Sequence, residues 1–80
     1  MIEYKLTEHA TNVIEERKIE IKWLESALTT HDYYEDYDDG TRHYIKQIED
    51  FDGKFLRVVT GADSDPIRII TVFFDRRLSE

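Results

Sequence analysis

The sequence predicts an α+β fold: an N-terminal strand, a two-helix hairpin, then an antiparallel meander of three or four strands, in a single domain over residues 1–80. Three observations carry this. Apolar residues recur at helical spacing between Glu8 and Thr29. Two β-branched runs, Phe55–Thr60 and Ile67–Phe74, flank the break Gly61-Ala62-Asp63-Ser64-Asp65-Pro66. A further pair, Tyr33–Tyr37 and Arg42–Glu49, flanks Asp39-Gly40, a strong two-residue hairpin signal. Helices gathered ahead of strands give segregated layers, with both helices on one sheet face.

Ile2–Leu6 alternates, with Ile2, Tyr4 and Leu6 on one face, as a half-buried strand does. Thr7 offers a hydroxyl N-cap, and Glu8 puts a negative charge in the first turn. Ala10, Val13, Ile14 and Arg17 then mark a helix over residues 8–17. A second helix runs from about Glu20 to Thr29, with Trp23, Leu24, Ala27 and Leu28 as its stripe. Ile19 stands ahead of it as a staple against Trp23 or Leu24. Tyr33–Asp39 reads as an exposed edge strand and turn. In the next run His43, Ile45 and Gln47 alternate with Tyr44, Lys46 and Ile48, before a turn at Asp50-Phe51-Asp52-Gly53. The last two runs are apolar at nearly every position, which places them centrally with both faces covered. The tail Asp75–Glu80 reads as a charged, frayed end. The expected core is Val13, Ile14, Trp23, Leu24, Leu28, Leu56, Val58 and Ile69.

Eighty residues hold one small core, which buries only about 60% of the surface the unfolded chain exposes. A homodimer is a natural route to more stability. The absence of cysteine excludes disulfides, thiolate metal sites and a cysteine nucleophile. No apolar run approaches a membrane span and the N-terminus lacks a signal pattern, so a cytoplasmic protein with no membrane partner is expected. Charge is uneven: residues 1–53 hold 6 Lys and Arg against 14 Asp and Glu, residues 54–80 hold 5 against 4. The net charge of −7 argues against a general nucleic-acid binder. It suits docking on a basic partner, and it leaves room for a local basic site near the last hairpin.

Glu35, Asp36, Asp38 and Asp39 have the composition of a calcium loop but not its spacing. An EF-hand needs Glu at the twelfth position, where Gln47 or Lys46 stands. A solvated turn that protects an edge strand fits better, and no metal or cofactor is expected. His9, His31 and His43 share no ligand spacing. His31 reads as a loop residue, His9 and His43 as polar ties between elements, with acid–base work as the alternative. Arg57 and Arg68 lie inside apolar runs, with Arg76 and Arg77 directly behind the second. An arginine on a buried strand needs a partner. Acids such as Glu15, Glu16 or Asp50 serve on a structural reading, a phosphate on a functional one. Register decides whether the two strand arginines act together. Pairing Thr60 with Ile67 puts both on one face; a one-residue slip separates them.

Thr7-Glu8-His9-Ala10, Glu16-Arg17-Lys18-Ile19, Lys54–Val59 (KFLRVV) and Ile70-Thr71-Val72-Phe73 together resemble a small bacterial family of unknown function regarded as part of the RelE/ParE-like toxin superfamily. The resemblance runs from Ile2 to about Phe74 and implies a compact RelE-like fold. Active members of the superfamily cut ribosome-bound mRNA by attack of a ribose 2′-hydroxyl on the adjacent phosphate. Strand-borne cations stabilise the developing charge, and a nearby Lys, Glu, His or Tyr moves the proton. The resemblance places Arg57 at their strand arginine and Arg76 or Arg77 near the basic residue after their last strand. On that implication Arg57, Arg68, Arg76, Arg77, His9 and His43 are the catalytic candidates, with Tyr44 as a further proton carrier. An antitoxin and ribosome-bound mRNA would be the partners. Two departures stand out: Glu49, Asp50 and Asp52 occupy a region where active nucleases carry lysines, and no tyrosine follows Arg77. A silent, acidic interaction or regulatory module on the same fold is the alternative.

Overall fold

Thr7 ends a strand and starts a helix with one side chain. A computed structural model, which describes residues 3–63 and 65–78, places β1 at Tyr4–Leu6 and α1 at Glu8–Arg17. The Thr7 hydroxyl accepts the Ala10 amide and donates to the Ile70 carbonyl, both at 3.1 Å, so it caps α1 and ties it to the sheet. Ile2 lies outside the described residues. At the other end of α1, Lys18 takes a left-handed φ of 55°. Its amide reaches the Glu15 carbonyl and the Ile19 amide reaches the Ile14 carbonyl, the Schellman arrangement. That turn drops Ile19 into the core ahead of α2, Ile21–Thr30. Ile19, Trp23 and Leu24 share one buried cluster, as a staple requires.

The remaining elements are β2 (Tyr33–Asp36), β3 (Thr41–Ile48), β4 (Lys54–Gly61) and β5 (Ile67–Phe74), in a sheet ordered β1-β5-β4-β3-β2. β2 to β5 form the antiparallel meander, while β1 runs parallel to β5. The β2–β3 loop has three residues rather than two. The Tyr37 amide reaches the Thr41 carbonyl at 2.9 Å, closing Asp38-Asp39-Gly40 with Gly40 at φ 84°. The turn into β4 is a short 3-10 segment, Glu49–Phe51, followed by positive φ at Asp52 and Gly53. Between β4 and β5, Arg57 pairs with Phe73 and Thr60 with Ile69, not Ile67; a bulge leaves Ile70 unmatched.

Both helices lie on one face, α1 over β5 and β1, α2 over β3 and β4. Leu24, Leu56, Val58, Ile69 and Val72 are buried between the layers, and the other expected core residues join them, with Val13 half-buried at the margin. Among the described residues no helix covers the second face, so the expected cover on both faces of β4 and β5 is present on one. A run of apolar residues fixes burial but not what supplies it. Ile45 and Val59 are still buried on the open face, sheltered by neighbouring side chains rather than by a second layer. No helix among the described residues is long and apolar enough to cross a membrane.

Candidate functional site

Strand alternation brings Glu35, His43 and Arg57 to the open face, where Glu35 opposes His43 and Ile45 opposes Arg57. The Arg57 side chain is only 6% exposed. Its Nε donates to Asp75 Oδ2 at 2.9 Å. Its Nη1 reaches Glu35 Oε1 at 3.2 Å, the Tyr37 hydroxyl at 3.4 Å and His43 Nδ1 at 3.0 Å. Asp75 also receives Nε and Nη2 of Arg77, each at 3.2 Å, and the Arg77 amide at 3.0 Å. The expectation of a frayed end therefore fails at Asp75, which is buried and whose own amide bonds the Phe55 carbonyl. The physical reason is a buried arginine that needs a carboxylate.

A guanidinium only donates, so His43 Nδ1 accepts and the ring proton sits on Nε2. That N–H donates to the Thr41 hydroxyl at 3.2 Å, which donates to Asp39 Oδ1 at 2.6 Å. Tyr37 stacks on the imidazole, with ring centroids 4.1 Å apart, and donates to Glu35 at 3.0 Å. Burial, and then the Arg57 charge, push the His43 pKa down. The Tyr37 hydroxyl, then Arg57, hold the Glu35 carboxyl below its ordinary range. Hydrogen bonds from the Arg77 side chain lead in holding Asp75 at about 2 against the opposing effect of burial, with the Arg77 amide and Arg57 adding to them. Burial also works against the Arg57 charge, but Glu35, Asp75 and Tyr37 together raise its pKa. The whole is a charge-matched tie among β2, β3, β4 and the segment after β5.

The predicted residues divide accordingly. Arg57, His43 and Arg77 share this network, Arg77 through Asp75. Glu15, Glu16 and Asp50 do not take part: Arg57 faces away from the helices, and Asp50 lies near Lys22. Arg68 is exposed, five residues along β5 from Phe73, about 16 Å away at the rise of a strand. His9 is exposed in the first turn of α1 and among the described residues makes no bond to the sheet, so the expected tie is absent there. Tyr44 lies on the helix side, where His31 packs on it at 4.8 Å. The acids of the β2 region serve close neighbours, Asp36 bonding Arg42, whose guanidinium lies 4.3 Å from the Tyr34 ring centre. Among the described residues, no three His, Asp or Glu side chains are grouped to hold a metal.

Segments distant in sequence also meet in a hollow that has no local signature in the chain. The link after α1, the Phe51 turn, the start of β4 and the end of β5 enclose a cavity of about 410 Å³. Arg17, Lys18, Lys54 and Arg76 stand around it, and Trp23, Phe51 and Phe74 form an aromatic wall. The ring centroids of Phe51 lie 5.4 Å from Trp23 and 4.7 Å from Phe74, and Lys54 Nζ stands 4.9 Å from the Phe51 ring centre. Among the described residues none of these four cations forms an ion pair. The α1–α2 link, α2 through Trp23, the stretch from Phe51 into β4 and the end of β5 all contribute, so only the folded register assembles the set. Arg76 belongs to this cavity and not to the Arg57 network.

Curated proteins and solved structures yield no match to the chain. A family model described as Domain of unknown function (DUF4258) matches residues 6–74, from the last residue of β1 to the last of β5. That span holds both helices and all of β2 to β5, so the chain belongs to the DUF4258 family.

Proposed function

We propose that this is a non-enzymatic interaction module, RelE/ParE-like in ancestry, that accepts a basic, extended segment of a partner protein along β2. One observation carries the reading. β2 is an outer strand with every residue exposed, carrying Glu35 and Asp36 and followed by Asp38 and Asp39, with exposed rings at Tyr33, Tyr34 and Tyr37. Acids alone guard that edge, with no lysine, arginine or proline in β2, so they disfavour a neutral or acidic strand while its outer backbone groups can add a basic one. A Lys- and Arg-rich segment of a partner protein matches its charge, and an antitoxin is a candidate only if it carries one. The network behind the strand supports this role, because Arg57 holds Glu35 and Tyr37 in place.

The test is calorimetry with an extended Lys/Arg-rich peptide, followed by amide shifts. Saturable binding with shifts centred on Tyr33–Asp36, lost in Asp36→Lys/Asp38→Lys while the melting temperature holds, is the expected result. Sedimentation at rising protein concentration distinguishes a second copy of this chain as the occupant. Shifts that spare β2 would overturn the proposal.

A second reading, an endoribonuclease acting on ribosome-bound mRNA, draws on the same cluster. Glu35 and His43 are groups that can move a proton, and both lie within hydrogen-bond reach of the Arg57 guanidinium. For this role Arg57 would have to leave Asp75 and Glu35 to meet a phosphate, with Arg76 or Arg77, Arg68 and His9 as the further candidates. Induced expression separates the readings. Unchanged growth and intact mRNA fit the module; growth arrest with cleaved mRNA establishes the nuclease.

A further inference from the structure

We propose that the cavity between the α1–α2 link and the ends of β4 and β5 is a binding site for a free mononucleotide, or a similar organic phosphate carrying a flat ring. It is independent of the β2 edge, whose residues lie on other elements. Charge comes first. The chain carries a net −7, yet Arg17, Lys18, Lys54 and Arg76 gather around one hollow, and among the described residues no carboxylate pairs with any of them. Lys22, Arg42, Lys46, Arg57 and Arg77 all lie close to acids instead. Among the described residues, the one carboxylate in the cavity wall, Asp75, is taken by Arg57 and Arg77. Such a site favours an anion, since among the described residues no unpaired carboxylate lines it, and the planar arginine forks suit phosphate oxygens.

The wall supplies the second half of the ligand. Trp23, Phe51 and Phe74 form a contiguous aromatic surface, and Phe51 keeps 38% of its surface exposed. A flat ring can stack there as bases stack on aromatic side chains. The volume of about 410 Å³ falls in the range of small-ligand pockets, about 300–1,000 Å³. Lys18 adds a third observation. It stands at φ 55°, where glycine would serve a helix end with less strain, and that turn places its cation at the cavity.

Trp23 is the sole tryptophan and lies in the wall, so the unmodified chain reports on its own site. Titration of the full chain with AMP, inorganic phosphate, adenosine and a short oligoribonucleotide is followed by Trp23 fluorescence and by calorimetry. The expected result is saturable binding of AMP, at least about tenfold tighter than phosphate or adenosine alone, since each supplies only half of the contacts. Arg17→Gln/Arg76→Gln should weaken AMP binding by about tenfold or more at an unchanged melting temperature. Phe51→Ala should weaken AMP but not phosphate, and Lys22→Gln should change neither. Absence of a saturable AMP signal in calorimetry, equal affinity for AMP and phosphate, or charge variants that bind like the wild type would overturn the proposal. Oligoribonucleotide binding more than about a hundredfold tighter than AMP would also overturn it, by assigning the hollow to an RNA strand.

Discussion

The two faces of the sheet solve one problem in opposite ways. On the helix side Leu24, Leu56, Val58, Ile69 and Val72 are buried against one another, and stability comes from apolar area and close packing. On the open side Arg57 and Asp75 are buried as deeply, but through hydrogen bonds and matched charge. Packing is non-directional and tolerates volume-conserving change. A buried ion pair is directional, and it becomes a liability when one member is removed. The helix side should therefore dominate stability, whereas the open side should dominate sensitivity to pH.

The largest effect expected is from Leu24→Ala, which opens a cavity under α2. It should cost about 3–4 kcal/mol in urea unfolding, within the usual cost of a truncated core leucine. Next comes Arg57→Met, at about 3 kcal/mol. It leaves Asp75 buried, yet the exposed Arg77 can still pair with it. Adding Asp75→Leu to Arg57→Met should recover much of that loss; a double variant as unstable as the single would mean the network works through geometry rather than charge.

Acid should act chiefly on the open face, where the most deeply buried carboxylate among the described residues lies. Asp75 stays ionised in the folded chain down to about pH 2, below its ordinary 3.8. Its contribution, on the order of 2 kcal/mol, is therefore full above about pH 4 and disappears as pH falls toward 2. His43 adds an earlier step. Its folded pKa lies below the ordinary 6.5, so the unfolded chain takes up a proton that the folded chain refuses. Stability is then full above about pH 6.5 and declines as the pH drops below it. His43→Gln, which keeps an acceptor for Arg57, should abolish the decline above pH 5 in thermal melts; an unaltered slope would place its origin elsewhere. The smallest effect is expected from Asp36→Asn on the exposed strand, with no measurable change in melting temperature.

The helix side was legible because its signals are local. Thr7 marked the start of α1 to the residue, and the stripe of Trp23, Leu24, Ala27 and Leu28 gave α2 with a one-residue offset. The open side was legible only as a need. Arg57 in an apolar run announced that a carboxylate must exist, but its choice depended on the β4–β5 register, which a bulge at Ile70 sets. Asp75 follows the last apolar run and carries the composition of a tail, so nothing local distinguished it. Glu35 has the sequence context of a solvated strand, which it is on one side. The aromatic hollow lay further out of reach, since Arg17-Lys18, Phe51, Lys54 and Arg76 meet only when four segments are in place.

The pairing of β1 with β5 constrains the order of events during synthesis. Tyr4, Lys5 and Leu6 find their strand partners at Ile67, Arg68 and Ile69, and Thr7 bonds the carbonyls of Ile69 and Ile70. α1 packs chiefly on that same strand. β1 and α1, made early, must therefore wait for β5, with Ala10 and Ile14 lacking β5 as a neighbour while that strand is still inside the ribosome. The meander from β2 to β4 can form earlier, because its partners are sequential. A nascent chain arrested before Ile67 emerges should hold β-hairpin structure but an undocked, protease-sensitive α1, which makes release of β5 from the ribosome the step that closes the fold.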